Sequence, residues 1–133
     1  KQQTLTLIMD DNLPLLTIDG RQIERALVNL ISNALDAVAD VKSPWIGIRA
    51  WTSAGRAYIR VSDNGPGIPP DLINRIFDPF FTTKPVGEGS GLGLSVARGI
   101  VEENGGFIDV QSTQGQGSCF SIYLPLARQG TSE

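Results

Sequence analysis

Between Asp19 and Asp40, apolar residues return at steps of three or four: Ile23, Leu27, Leu30, Ala34 and Val38. That spacing lays one apolar stripe along an α-helix, and Ala26, Ile31 and Leu35 widen it. Asp19 is a good N-cap, and Gln22 three residues later completes a capping box. The pattern fades at Asp40–Ser43, and Pro44 marks the stop. A helix with one apolar stripe cannot bury it alone, so a second layer has to cover it.

The rest of the chain supplies that layer as strands. Thr4–Met9 reads as a strand, Asp10–Asn12 as a turn and Leu15–Ile18 as a short extended run. Trp45–Trp51 and Arg56–Ser62 read as a hairpin. The second arm alternates, with Ala57, Ile59 and Val61 on one face and Tyr58, Arg60 and Ser62 on the other. Asp71–Phe77 suggests one or two helical turns. Leu92–Asn104 is a second long helix, ended by Gly105-Gly106. Phe107–Ser112 and Ser118–Leu126 form a last hairpin over Thr113–Gly117, and residues 127–133 make a polar tail. Hairpins outnumber helical crossovers. The expected fold is therefore a two-layer α/β sandwich: a mixed, mostly antiparallel sheet with helices on one face.

Composition narrows the classes. With 133 residues and 41% hydrophobic content the chain fits one globular domain. Its net charge of −3, without any run of Lys and Arg, argues against a nucleic-acid partner. One cysteine, Cys119, permits no internal disulfide and fits a reducing, cytoplasmic setting. No apolar run approaches the roughly 18–20 residues of a membrane span, so no direct membrane contact is expected. The start at Lys1 looks like a cut piece, leaving room for an anchor elsewhere. There is no histidine, so the chain can use none for metal binding or catalysis.

Three stretches carry possible chemistry. On the first helix, Asn29, Asn33, Asp36 and Asp40 share one face. This is either a solvated polar face or a set of oxygen ligands for a hard cation such as Mg²⁺. Asp63-Asn64-Gly65-Pro66-Gly67-Ile68 ends a strand in a tight loop. It is either an ordinary turn or a place where glycines let backbone approach a flat ligand while a carboxylate accepts from its amine. Gly89-Ser90-Gly91-Leu92-Gly93-Leu94 precedes the second helix, whose free amides and dipole suit phosphates. It lacks the strand context of a dinucleotide fingerprint and the Lys-Ser/Thr of a Walker loop. Between these stretches, Phe77-Asp78-Pro79-Phe80-Phe81 precedes Thr82-Thr83-Lys84 in an irregular segment long enough to be a lid.

In this order and spacing, the stretches resemble the N, first glycine, F and second glycine boxes of sensor histidine kinase ATP-binding domains. These belong to the superfamily of DNA gyrase B, Hsp90 and MutL. The likeness spans nearly the whole chain, and Phe77–Lys84 with Gly87–Ser95 looks most like the nitrogen-regulator and C4-dicarboxylate sensors. It implies a Bergerat-type fold over residues 1–126 and ATP with Mg²⁺ as ligands. By the same likeness Asn33 would ligate the metal, Asn29 would support metal and phosphates, and Asp63 would accept from the adenine amine. Gly65, Gly67 and Ile68 would shape the base pocket. Gly89, Ser90, Gly91, Leu92, Gly93 and Leu94 would cover the phosphates, with Thr83 and Lys84 from the lid. Phe77 and Asp36 complete the expected nucleotide set, Asp36 without a settled role. Asn29 and Lys84 are the expected catalytic residues.

The resemblance also implies partners. The phosphoryl acceptor would be a histidine on a separate dimerisation domain, expected before Lys1, and the relay would continue to a response regulator. Relatives that hydrolyse ATP carry glutamate where this chain has Asn29, and asparagine is a poor base. The alternatives are a non-catalytic nucleotide-binding relative and an anti-sigma-type serine kinase. The expected location is cytoplasmic, including the cytoplasmic part of an inner-membrane sensor.

Overall fold

A computed structural model of the chain describes residues 4–9, 20–81 and 92–125. The elements are β1 (Thr4–Met9), α1 (Gly20–Ala37), β2 (Trp45–Ser53), β3 (Arg56–Asp63), α2 (Gly93–Glu103), β4 (Phe107–Thr113) and β5 (Gly117–Pro125). Leu15–Ile18, the Asp10–Asn12 turn, the Asp19 cap and the tail lie outside the described residues.

The strands form one sheet in the order β1-β2-β3-β5-β4. β1 runs parallel to β2, with Thr4 opposite Trp45 and Met9 opposite Ala50. A parallel pair needs a long crossover, and α1 lies within it. Every other pair is antiparallel. β2 and β3 turn over Ala54 and Gly55, at φ 51 and 79. Positive φ at both positions is what a tight two-residue hairpin asks of its turn.

α1 and α2 cover one face of the sheet. From α1, Ile23, Ala26, Leu30 and Ala34 are buried, with Val38 just past its end; from α2, Ala97, Ile100 and Val101. They meet Ile46, Ala57, Val61, Phe120, Ile122 and Leu124 of the sheet in one cluster. Leu30 and Phe120 belong to its fully buried side chains, and truncating such a residue typically costs about 2–5 kcal/mol. The opposite face carries a cross-strand row of stacked rings, Trp51–Tyr58 and Tyr123–Phe107, joined edge-on between Tyr58 and Tyr123. No described helix is long and apolar enough to cross a membrane.

Local expectations and structure differ at three places. Leu35 does not widen the buried stripe: it is 39% exposed. α1 ends at Ala37 and loosens into turns, with Ala39 N donating to Asp36 O and Val41 N to Val38 O. Asp71–Phe77 is not a regular helix. It is a chain of tight turns, in which Leu72 N bonds Pro69 O, Arg75 N bonds Leu72 O and Asp78 N bonds Arg75 O. Pro70 disfavours helical backbone at the residue before it, Pro69, which works against a regular helix starting there.

Candidate functional site

β3 delivers Asp63 to the end of the sheet, where its side chain is 6% exposed. Its Oδ1 accepts the Gly65 amide at 2.9 Å, and the Ser118 amide on β5 donates to the same carboxylate. Burial pushes the Asp63 carboxyl above its ordinary value near 3.8, while the Gly65 and Ser118 amides hold it back down. A buried acceptor with two backbone donors already in place is oriented before any ligand arrives.

The loop after Asp63 is pinned from both sides. Asn64 Nδ2 donates to Ser43 O at 2.9 Å, its Oδ1 accepts Trp45 N at 2.8 Å, and Asn64 N donates to Trp45 O. Gly65 lies so close to α1 that a Cβ there would sit 2.6 Å from Ala37 O. Gly67, at φ 76, lies against the Thr113 carbonyl. Gly115 N donates to Pro66 O at 2.6 Å, and Ile68 N donates to Ser112 Oγ at 2.7 Å. Glycine is needed at 65 and 67 for close approach, and at 67 for its backbone as well.

This loop forms one wall of a cleft of about 1010 Å³. The facing wall is α1, which presents Asn29, Ser32, Asn33 and Asp36, with Asp40 from the turn after it. Val41, Ile68, Leu72, Ile76, Phe81 and Phe120 supply apolar lining. Gly93 and Leu94 bring the start of α2 to the cleft. Leu92, at the N-cap of that helix, makes no side-chain capping hydrogen bond, and the first turn holds no acid. Asn29 Nδ2 donates to Gly93 O at 3.2 Å, tying α1 to α2 and leaving Asn29 Oδ1 as an acceptor. Among the described residues no Lys or Arg lines the cleft. None there forms a cluster of three or more His, Cys, Asp or Glu able to hold a metal.

The structure therefore brings together Asn29, Asn33, Asp36, Asp63, Gly65, Gly67, Ile68, Gly93 and Leu94. Leu92 precedes α2 but does not line the cleft. Phe77 is also off the lining. Its ring meets Phe120 edge-on at 6.2 Å, with Arg98 over it at 5.4 Å. Thr83, Lys84, Gly89, Ser90 and Gly91 lie outside the described residues. Of the other two aromatics in that run, Phe81 lines the cleft and Phe80 is 72% exposed at φ 69.

Sequence reasoning passed over Ser118, Gly115 and Phe120. Gly115-Gln116-Gly117-Ser118 reads as an ordinary hairpin turn. Only the pairing of β3 with β5 sets Ser118 opposite Asp63.

Residues 18–128 match the family described as histidine kinase-, DNA gyrase B-, and HSP90-like ATPase. The chain is 40% identical over 122 residues to the sensor histidine kinase ZraS of Escherichia coli K12, covering 92% of this chain and 25% of ZraS. It is 36% identical over 129 residues to the sensory histidine kinase/phosphatase NtrB of Vibrio alginolyticus, covering 90% of this chain and 36% of NtrB. The chain thus spans about a quarter to a third of these relatives' length. The catalytic domain of histidine kinase ThkA superposes with a TM-score of 0.80 at 31% identity, covering 93% of this chain and 80% of that one.

Proposed function

Because the chain belongs to the histidine kinase-, DNA gyrase B- and HSP90-like ATPase family, we propose that the cleft binds Mg-ATP and presents its γ-phosphoryl group to a histidine on another domain. The chain is in this reading the ATP-binding catalytic domain of a sensor histidine kinase. The observation that carries it is Asp63, a buried carboxylate facing a cleft whose other wall is the Asn29–Asn33 face of α1.

The roles follow from the chemistry of each wall. Asp63 accepts a hydrogen bond from the exocyclic amine of adenine. Gly65 and Gly67 keep the loop flat enough for the base, and Ile68 supplies apolar cover. At the other end, the start of α2 offers amides to the phosphates. With no described cation on the lining, a metal is the natural counter-charge. Asn33 and Asn29 fit Mg²⁺, which takes one or two protein oxygens and keeps waters and phosphate oxygens as its other ligands. Bound there, Mg²⁺ would neutralise charge developing on the phosphates. Lys84 and Thr83 are proposed as further phosphate contacts.

Asn29 also argues for transfer over hydrolysis. Its amide nitrogen is engaged with Gly93 O, and neither end of an amide is a useful general base for water. The acceptor must come from elsewhere, since the chain holds no histidine. The fitting partners are a dimerisation domain carrying that histidine and, beyond it, a response regulator, in the cytoplasm. Calorimetry with Mg-ATP, followed by phosphotransfer in trans to a separate histidine-bearing domain, tests this. Absence of ATP binding at millimolar concentration would sink the reading. Binding without any transfer would reduce the chain to a nucleotide sensor.

A further inference from the structure

Ser112 is far from every stretch that pointed to nucleotide chemistry in the sequence, yet its hydroxyl has three polar neighbours. It lies on β4, opposite Ser118 of β5. Its Oγ accepts the Ile68 amide at 2.7 Å, donates to Gly117 O at 3.1 Å, and lies 3.0 Å from Ser118 Oγ. A hydroxyl has one proton and two lone pairs. With its proton on the Gly117 carbonyl and one lone pair on Ile68 N–H, it can meet Ser118 only by accepting that residue's proton. All three capacities are then used. Ser118, a lining residue of the cleft, is left with Oγ as an acceptor beside Asp63.

We propose that Ser112 is a positioning and specificity-determining residue of the base pocket, holding the Asp63–Ile68 loop to the β4–β5 hairpin and keeping the Ser118 oxygen an acceptor. The proposal rests on the nucleotide reading above. The chemistry of discrimination is direct. An edge built from the Asp63 carboxylate and an acceptor Ser118 oxygen welcomes the 6-amino group of adenine. It opposes the 6-carbonyl of guanine, which brings lone pairs to lone pairs. Alanine at 112 would free the Ser118 proton to swing towards the cleft and would release the Ile68 amide. The neighbouring contacts give the hairpin a reason to serve as the anchor: Gly115 N holds Pro66 O, and Gly117 lies against the Asp63 carbonyl with no room for a Cβ.

Ser112→Ala and Ser112→Thr should be compared with the parent in two measurements. The first is the exchange rate of the Ile68 amide in nucleotide-free protein, followed by NMR. The second is the affinity for Mg-ATP and Mg-GTP by calorimetry. Losing a buried hydrogen bond predicts roughly 5- to 10-fold faster Ile68 exchange in the alanine variant, with Val61 and Phe120 amides unchanged. Mg-ATP should bind about 5- to 10-fold more weakly, and the ATP-to-GTP preference should shrink. Threonine, which keeps the hydroxyl, should restore both. Unchanged Ile68 exchange overturns the proposal. So does a uniform loss of stability with the ATP-to-GTP ratio intact, because that marks a merely structural serine. If the parent itself fails to bind ATP, the nucleotide reading falls and takes the specificity role with it, while faster Ile68 exchange in the alanine variant would still establish the loop anchor.

Discussion

The two ends of the cleft are built on opposite principles. At the Asp63 end nearly every polar group already has a partner within the protein: Asp63 has two amides, Asn64 has Ser43 and Trp45, Ile68 has Ser112, and Pro66 has Gly115. At the α1–α2 end Asn29 Nδ2 donates to Gly93 O from one helix to the other, and Asn33 and Ser32 face the cleft beside it. In the nucleotide reading proposed above, the first end is a preformed mould whose acceptor edge would select a base, and the second is a polar surface whose ligands a cation, water and phosphate would complete. A flat neutral base can be recognised only by prearranged geometry, since it brings no charge to organise its site. A polyphosphate with a metal brings that charge itself.

The largest effect should come from the mould. Asp63→Asn keeps shape and removes the charge-assisted acceptor, and should weaken Mg-ATP binding by roughly 10- to 100-fold in calorimetry. Stability should not fall with it, because the carboxyl is held above its ordinary value by burial. Such a group opposes folding most when charged in both states. That cost is fully present above the folded value, fades as pH drops through it, and is gone below the ordinary value near 3.8. The stability advantage of the Asn variant should therefore shrink on acidification, as followed by denaturant unfolding. An Asn variant that binds ATP like the parent would break the comparison at its first term.

Gly67→Ala comes next. With φ at 76 and the Thr113 carbonyl against it, an added methyl forces the loop off the hairpin. The expected loss is about 1–3 kcal/mol of unfolding free energy, with faster exchange at the Gly115 and Ile68 amides. Retained stability would mean that the base end is looser than its hydrogen bonds imply. The smallest effect is expected at the open end. Asn33→Ala should leave the thermal midpoint nearly unchanged and reduce the Mg²⁺-dependent part of ATP affinity about tenfold. ATP affinity measured in chelator should barely move. If Asn33→Ala instead destabilises the fold, the open end contributes to structure no less than the mould does, and the contrast between them fails.

Much of this was legible in the sequence, and the reason is locality. Helical period, alternation and turn chemistry act over a few residues. They sufficed for both helices, both hairpins and Asp63 at a strand end. They also put Asn29 and Asn33 one turn apart on one face. They failed where burial depends on a distant partner. Leu35 has the right spacing for the stripe, but it sits at the edge of what the sheet can cover and stays exposed. Phe77 has the character of a ligand-facing aromatic, yet Phe120 takes its edge and keeps it off the lining.

What the sequence by itself determined is the set of parts: an amphipathic helix with two asparagines, a glycine loop after an aspartate, a second helix that starts after a glycine-rich stretch, and no histidine. The tertiary structure alone decided how the parts meet. β5 enters the sheet between β3 and β4, so Ser118 lands opposite Asp63 and Ser112 reaches Ile68 across 44 residues of chain. No local pattern encodes that arrangement. Strand order and register follow from burying two helices against one sheet face at once, which is a property of the whole chain.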